Sequence, residues 1–201
     1  MTNKIHANRE AWLNALVEEL RPIFSDRGHA LPGKVRVTCG FPSSKARSLN
    51  RAIGECWSPD ASADHATEIM ISPVVDEVQQ AAAIMVHELC HAAHPKAQHK
   101  GAFVHAIRAM HLEGKPTHTV GGVAFVEAFT PIIEALGDYP HAALNVGLTH
   151  KKQTTRMLKA CCPECGYTIR LTKKWADVAV PDCPVDGAAL ELDNPETPEE
   201  E

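Results

Sequence analysis

The 201-residue chain contains no apolar run approaching the ~20 residues of a membrane span. Its opening residues, MTNKIHANRE, lack the apolar core of an export signal. Positive charge is not in excess: 20 lysines and arginines against 25 acidic residues leave a formal charge of -5. That balance argues against bulk attraction to nucleic acid, although a mean conceals local patches. Nor do the cysteines pair off. There are seven, and an odd number without an export signal reads as reduced thiols and metal ligands rather than disulfides. These absences lead to the expectation of a cytoplasmic protein with no membrane partner. The length allows one domain with a proper core, or one plus a small appended module.

What the chain does carry is concentrated in two places. The first is residues 81–102, AAAIMVHELCHAAHPKAQHKGA, and within it His87-Glu88-Leu89-Cys90-His91. Histidines at i and i+4 lie on one face of a helix with Cβ atoms roughly 6 Å apart, so both imidazoles can reach one ion. This is the His-Glu-x-x-His arrangement of zinc hydrolases. Zinc takes neutral imidazole, and a catalytic site keeps one position for a water whose pKa falls to about 7. Glu88 follows the first ligand directly, where its carboxylate can act as general base and later as proton donor.

The flanking sequence predicts a small α+β domain. Trp12, Leu13, Leu16, Val17, Leu20 and Phe24 recur at helical spacing, so residues 7–24 read as a helix that Asn3 or Asn8 could cap. Val35, Val37 and Cys39 alternate with polar residues as in a half-buried strand, and residues 52–57 and 67–72 read as two more. Three short strands between helices suggest a small, mostly antiparallel sheet packed on helices. The metal helix is expected to begin near residues 73–76 and to stop before Pro95. A second helix is expected over 100–112, an extended piece over 119–125 and a helix over 126–136, with 138–150 as a link to the tail. The polar loop 41–51, with Lys45, Arg47 and Arg51, could touch phosphates or simply be solvated.

Two histidines do not hold a catalytic zinc, so a third ligand is required. His94 lies a turn too far along a straight helix and reads as a cleft-lining or helix-end residue. His99 stands where the breaker-rich loop 95–98 has turned the chain back, which makes it the first candidate. Glu113 is its rival. His105 and His111 share the second helix but do not stand at the mouth of the turn.

His87-Glu88-Leu89-Cys90-His91, a short loop and then His99-Lys100-Gly101-Ala102-Phe103 resemble the SprT-like (Spartan-type) metallopeptidase domain, in which the third zinc histidine opens a His-Gly-x-x-Phe-type segment. Lys100 departs from that pattern, with glycine one place later. Gly54-Glu55-Cys56-Trp57 and Glu68-Ile69-Met70-Ile71-Ser72-Pro73 are similar to the strands before the metal helix. The resemblance covers roughly residues 35–115. It implies a zincin-like core, zinc on His87, His91 and His99, and substrates that are proteins on DNA.

The second concentration is the tail. Cys162-Pro163-Glu164-Cys165-Gly166-Tyr167 is a zinc-knuckle sequence, and Cys183-Pro184-Val185-Asp186-Gly187 is its partner half. Together they read as a zinc ribbon, with Ile169, Leu171, Trp175 and Val178 to cover it. Asp186 stands where a fourth cysteine is expected; its carboxylate could ligate, Cys161 could join the site, or packing alone could hold the ribbon. SprT-like proteins often carry such a ribbon after the protease domain. Lys151, Lys152, Arg156, Lys159, Arg170, Lys173 and Lys174 face only Glu164 in this stretch, a basic patch that could grip DNA beside an aromatic such as Tyr167 or Trp175, or could simply be solvated. The expected organisation is therefore a metallopeptidase domain over 1–150, a ribbon over 151–190 and an acidic disordered tail over 191–201.

The first expectation is thus a zinc endopeptidase with one catalytic and one structural zinc. A second is a non-enzymatic DNA- or transcription-associated module with a structural front zinc, against which the retention of Glu88 speaks. A third is a different His-Glu-x-x-His hydrolase, such as a deformylase, with Cys56 as ligand in place of His99. Tyr139, His94 and His105 are candidates for stabilising an oxyanion.

Overall fold

The apolar side chains at helical spacing between Trp12 and Phe24 become the buried face of α1 (Arg9–Asp26) in a computed structural model, which describes residues 5–43, 51–147 and 157–193. Asn8 caps this helix by accepting a hydrogen bond from the Ala11 amide at 2.8 Å. Trp12, fully buried, donates its indole N–H to the Gly137 carbonyl at 3.0 Å and packs on Tyr139 with ring centroids 4.9 Å apart.

Three short strands follow: β1 (Val35–Cys39), β2 (Gly54–Trp57) and β3 (Thr67–Ile71), in the order β1-β3-β2. β3 runs parallel to β1 and antiparallel to β2. The sheet is therefore mixed rather than mostly antiparallel. The chain crosses to the far edge to form β2 and folds back, so β3 enters between the other two running the same way as β1. Alternation along β1 and β3 puts Val37, Cys39, Ile69 and Ile71 on the buried face.

Helix α2 (Val78–Ala93) carries the His-Glu-x-x-His residues and starts later than the sequence suggests. Glu77 caps it, its carboxylate accepting from the Gln79 and Gln80 amides, so the preceding prolyl segment stays outside the helix. At its other end the helix stops at His94, one residue before Pro95, as the proline requires. Ala81, Ala82, Met85, Val86, Leu89 and Cys90 are buried. α3 (Ala102–Ala109) is shorter than expected because His111 adopts a left-handed φ of 60°, and Leu112 begins a strand. That strand, β4 (Leu112–Lys115), pairs with β5 (His118–Gly121) in a hairpin, and α4 (Val123–Leu136) follows with Phe125, Phe129, Ile133 and Leu136 buried.

The chain divides into two compact units, Met1–Leu148 and Thr149–Glu201. Residues 139–144, expected as linker, are tied to the first unit: Leu144 donates its amide to the Pro73 carbonyl at 2.7 Å and Ala143 donates to Asp76. In the second unit, β6 (Leu158–Cys161), β7 (Thr168–Leu171) and β8 (Glu191–Asp193) form a sheet in the order β7-β6-β8, with the short helix α5 (Lys173–Ala176) after β7. The tail expected from residue 191 therefore begins as a strand, because Leu190 is buried and carries its neighbours onto β6. Lys151, Lys152 and Arg156, the loop residues Lys45 and Arg47, and the acidic residues after 193 lie outside the described residues. Among the described residues no helix is long and apolar enough to cross a membrane.

Trp12→Phe removes the indole donor and leaves the Gly137 carbonyl without it. The expected cost is about 1–3 kcal/mol in urea denaturation at neutral pH; an unchanged midpoint means that this bond does not help fasten α1 to the end of α4.

Candidate metal and catalytic site

His87 and His91 project from one face of α2, with ring centroids 5.1 Å apart. The chain then turns sharply. Gln98 takes a left-handed φ of 48°, and Gly101, with φ 51° and ψ -121°, caps α3 in a conformation that a side chain strongly disfavours. The turn therefore needs its glycine at 101, whereas Lys100 is exposed. The loop delivers His99 beside the other two histidines, its Nε2 3.2 Å from Nε2 of His91.

Phe103, fully buried at the start of α3, forms the floor of the cluster. Its ring stacks on His91 at 4.1 Å and meets His87 and His99 at 5.1 Å. Burial disfavours the charged imidazolium, and neighbouring imidazoles add to that, so His87 falls to about 4 and His91 to about 3; burial also lowers His99. All three rings are thereby held in the neutral, lone-pair-bearing form at pH 7. One nitrogen from each lies within 4.8 Å of the others. The 3.2 Å gap between His91 and His99 is about the span of two metal–nitrogen bonds of about 2 Å at a near-tetrahedral angle. The donor set therefore fits a metal ion.

Glu88 is buried, and its carboxylate packs against β2: a Cβ built on Gly54 would stand 2.4 Å from Glu88 Oε1 and 2.6 Å from Ile84. Burial, reinforced by the Glu55 carboxylate, pushes Glu88 up to about 8. A cation beside it would act in the opposite direction. The three histidines and Glu88 line one cleft of about 1180 Å³, walled by β2 on one side and β5 on the other. Thr119 of β5 reaches across to His87, Oγ1 to Nδ1 at 2.8 Å, a contact over 32 residues of sequence that no local pattern announces.

Several expectations are corrected. Glu113 is exposed on β4 and does not join the imidazoles; its carboxylate lies against Gly122, where a Cβ would meet it at 2.0 Å. Cys56 lines the cleft but stands outside the donor cluster of His87, His91 and His99. Tyr139, His94 and His105 do not line the cleft. Tyr139 is packed on Trp12, and His94 points instead to His29, Nε2 to Nδ1 at 2.9 Å.

In the second unit, Cys162, Cys165, Cys183 and Asp186 each bring a donor atom within 4.8 Å of the rest. The Asp186 carboxylate lies 3.3 Å from Cys162 Sγ, and Cys165 and Cys183 are 3.5 Å apart. Asp186 thus occupies the place where a fourth cysteine is expected. Cys161 is turned elsewhere, toward Thr168 and the Gly166 carbonyl. Gly166 and Gly187 take φ near 77°, and each donates its amide back to the first cysteine of its knuckle. Ile169 and Leu171 pack on the buried cluster of Ala160, Cys162, Cys183 and Leu190 as expected. Trp175 and Val178 do not cover this core, for they are 58% and 70% exposed.

Two outcomes follow from the placement of Glu88. In the metal-free protein its carboxyl holds a proton that the unfolded chain releases above pH 4.5, so this group's contribution to stability declines as pH rises from about 4.5 to about 8. Glu88→Gln should therefore gain stability relative to the parent across that window and level off above it, measured as denaturation midpoints of chelated protein; a pH-independent difference contradicts the burial argument. Gly54→Ala should force the Glu88 carboxylate and Ile84 aside and lower the denaturation midpoint, and an unchanged midpoint would show that Glu88 does not need this position.

No family model matches the chain, and no curated protein or solved structure matches it.

Proposed function

We propose that the chain is a zinc-dependent endopeptidase of the SprT-like kind, built on a zincin-like core and acting on proteins held on DNA. The observation that carries this reading is the convergence of three neutral imidazoles, His87, His91 and His99, in a cleft that a buried carboxylate, Glu88, also lines. A structural site has no use for a base poised beside its donors. Zinc in that site supplies a Lewis acid that polarises the scissile carbonyl and lowers the pKa of water. Glu88 takes one proton from the water that attacks the carbonyl carbon and delivers it to the amine as the C–N bond breaks. Burial raises its carboxyl above the ordinary carboxylate range, a nearby cation would lower it again, and Gly54 leaves it room beside the cleft.

The ribbon, with zinc on Cys162, Cys165, Cys183 and Asp186, supplies placement on DNA. Arg170, Lys173 and Lys174 are exposed, and the Lys174 ammonium lies 5.2 Å over the exposed Trp175 ring, so charge for phosphates adjoins a face for bases. Lys159, in contrast, is engaged with Asp193 at 3.1 Å.

Glu88→Gln should retain zinc and lose cleavage of a DNA-bound protein substrate by a factor of about 10² or more; unchanged cleavage eliminates the mechanism. Removal of residues 151–201 should weaken DNA binding and flatten its dependence on salt while the first unit keeps its zinc. A full chain that does not bind DNA at low salt contradicts the proposed role of the ribbon.

A further inference from the structure

Thr119 belongs to neither metal motif, yet its hydroxyl meets a proposed ligand directly. Its place is fixed by the hairpin. Gly114 pairs opposite it with φ 90°, and a Cβ there would stand 2.9 Å from the His118 carbonyl, so glycine is what allows the turn to close at this register. At the other end of β5, a Cβ on Gly121 would stand 2.6 Å from the Phe125 ring; the fully buried Phe125 thus seats against the strand where it has no side chain. Between these two anchors Thr119 Oγ1 sits 2.8 Å from His87 Nδ1.

That contact bears on which nitrogen His87 offers. His91 and His99 approach each other through Nε2. With Nδ1 of His87 engaged by Thr119, its free nitrogen is also Nε2. A neutral imidazole has a lone pair on Nε2 only when its proton is on Nδ1. A hydroxyl that accepts the Nδ1 proton selects that tautomer and fixes the ring plane; a hydroxyl that donates to Nδ1 would put the proton on Nε2 and block coordination.

We propose that Thr119 is a positioning residue for the His87–His91–His99 site: its Oγ1 accepts the His87 Nδ1–H, holds Nε2 toward the other two imidazoles, and makes the β4–β5 hairpin a structural part of the metal centre. This rests on the reading of that cluster as a zinc site.

The test uses the full chain as parent, Thr119→Val and Thr119→Ser, with zinc affinity measured by chelator competition and the ribbon site as reference within the same molecule. Thr119→Val keeps the shape and removes the acceptor, so the front site should bind zinc about 10- to 100-fold more weakly, Thr119→Ser should restore it, and the ribbon site should not change. Nitrogen-15 spectra of the metal-free parent should show His87 protonated on Nδ1, and Thr119→Val should show a mixture of tautomers. Equal or tighter front-site binding in Thr119→Val, or a parent His87 protonated on Nε2, overturns the proposal. A parent that binds no zinc at the histidines refutes the zinc reading itself, and the His87 tautomer then still decides what Thr119 does.

Discussion

The N-terminal unit depends on one constraint: α2 must be buried on one side and chemically open on the next. α1, α3, α4, β2, β3 and β5 all pack against this helix. Its alanines allow that close approach, and Met85 and Leu89 fill the space that remains. Because the backbone of α2 is so constrained, His87 and His91 have fixed origins, and the surrounding elements can add the rest of the site. α3 adds a floor in Phe103, the loop before it adds His99, and β2 adds the glycine that accommodates Glu88. The same burial that gives the helix its stability sets the charge state of the site. Burial keeps the imidazoles neutral and raises Glu88, so the donors are ready for a cation and the carboxyl is sensitive to one.

The second unit meets the opposite problem. Its buried apolar set is small, with Ala160, Cys162, Cys183 and Leu190 at the centre. So small a core contributes little to folding on its own, and a bound ion is the usual remedy. The two knuckles place three sulfurs and a carboxylate together. Asp186 also accepts from the Ala188 amide at 3.0 Å, so one residue both closes the turn and completes the donor set. A bulky side chain such as Trp175 cannot be buried by so little structure, which leaves it available at the surface.

Local rules made the central features legible in the sequence. Helical periodicity revealed α1, and the four-residue spacing of His87 and His91 revealed that both imidazoles stand on one face of α2. Pro95 marked where the chain must turn back, and that made His99 the natural third donor. Features set by long-range register were not legible. Nothing near Thr119 in sequence indicates His87, and the β4–β5 hairpin was hidden because Leu112 continues the apolar pattern of α3 until His111 departs from helical geometry. The parallel pairing of β1 with β3 was likewise invisible, since strand direction depends on the path of the intervening chain rather than on the strands. Trp175 and Val178 were assigned to a core because they are apolar, a rule that fails in a module too small to enclose them.

The central claim is that three imidazoles from α2 and the loop after it hold one zinc apart from the cysteine site. The most direct measurement is zinc content per chain by mass spectrometry of the native protein, compared with His99→Ala and Cys183→Ser. The account predicts two zinc ions in the parent, the histidine-bound ion lost in the first variant and the cysteine-bound ion lost in the second. A parent with a single zinc that survives His99→Ala would contradict it.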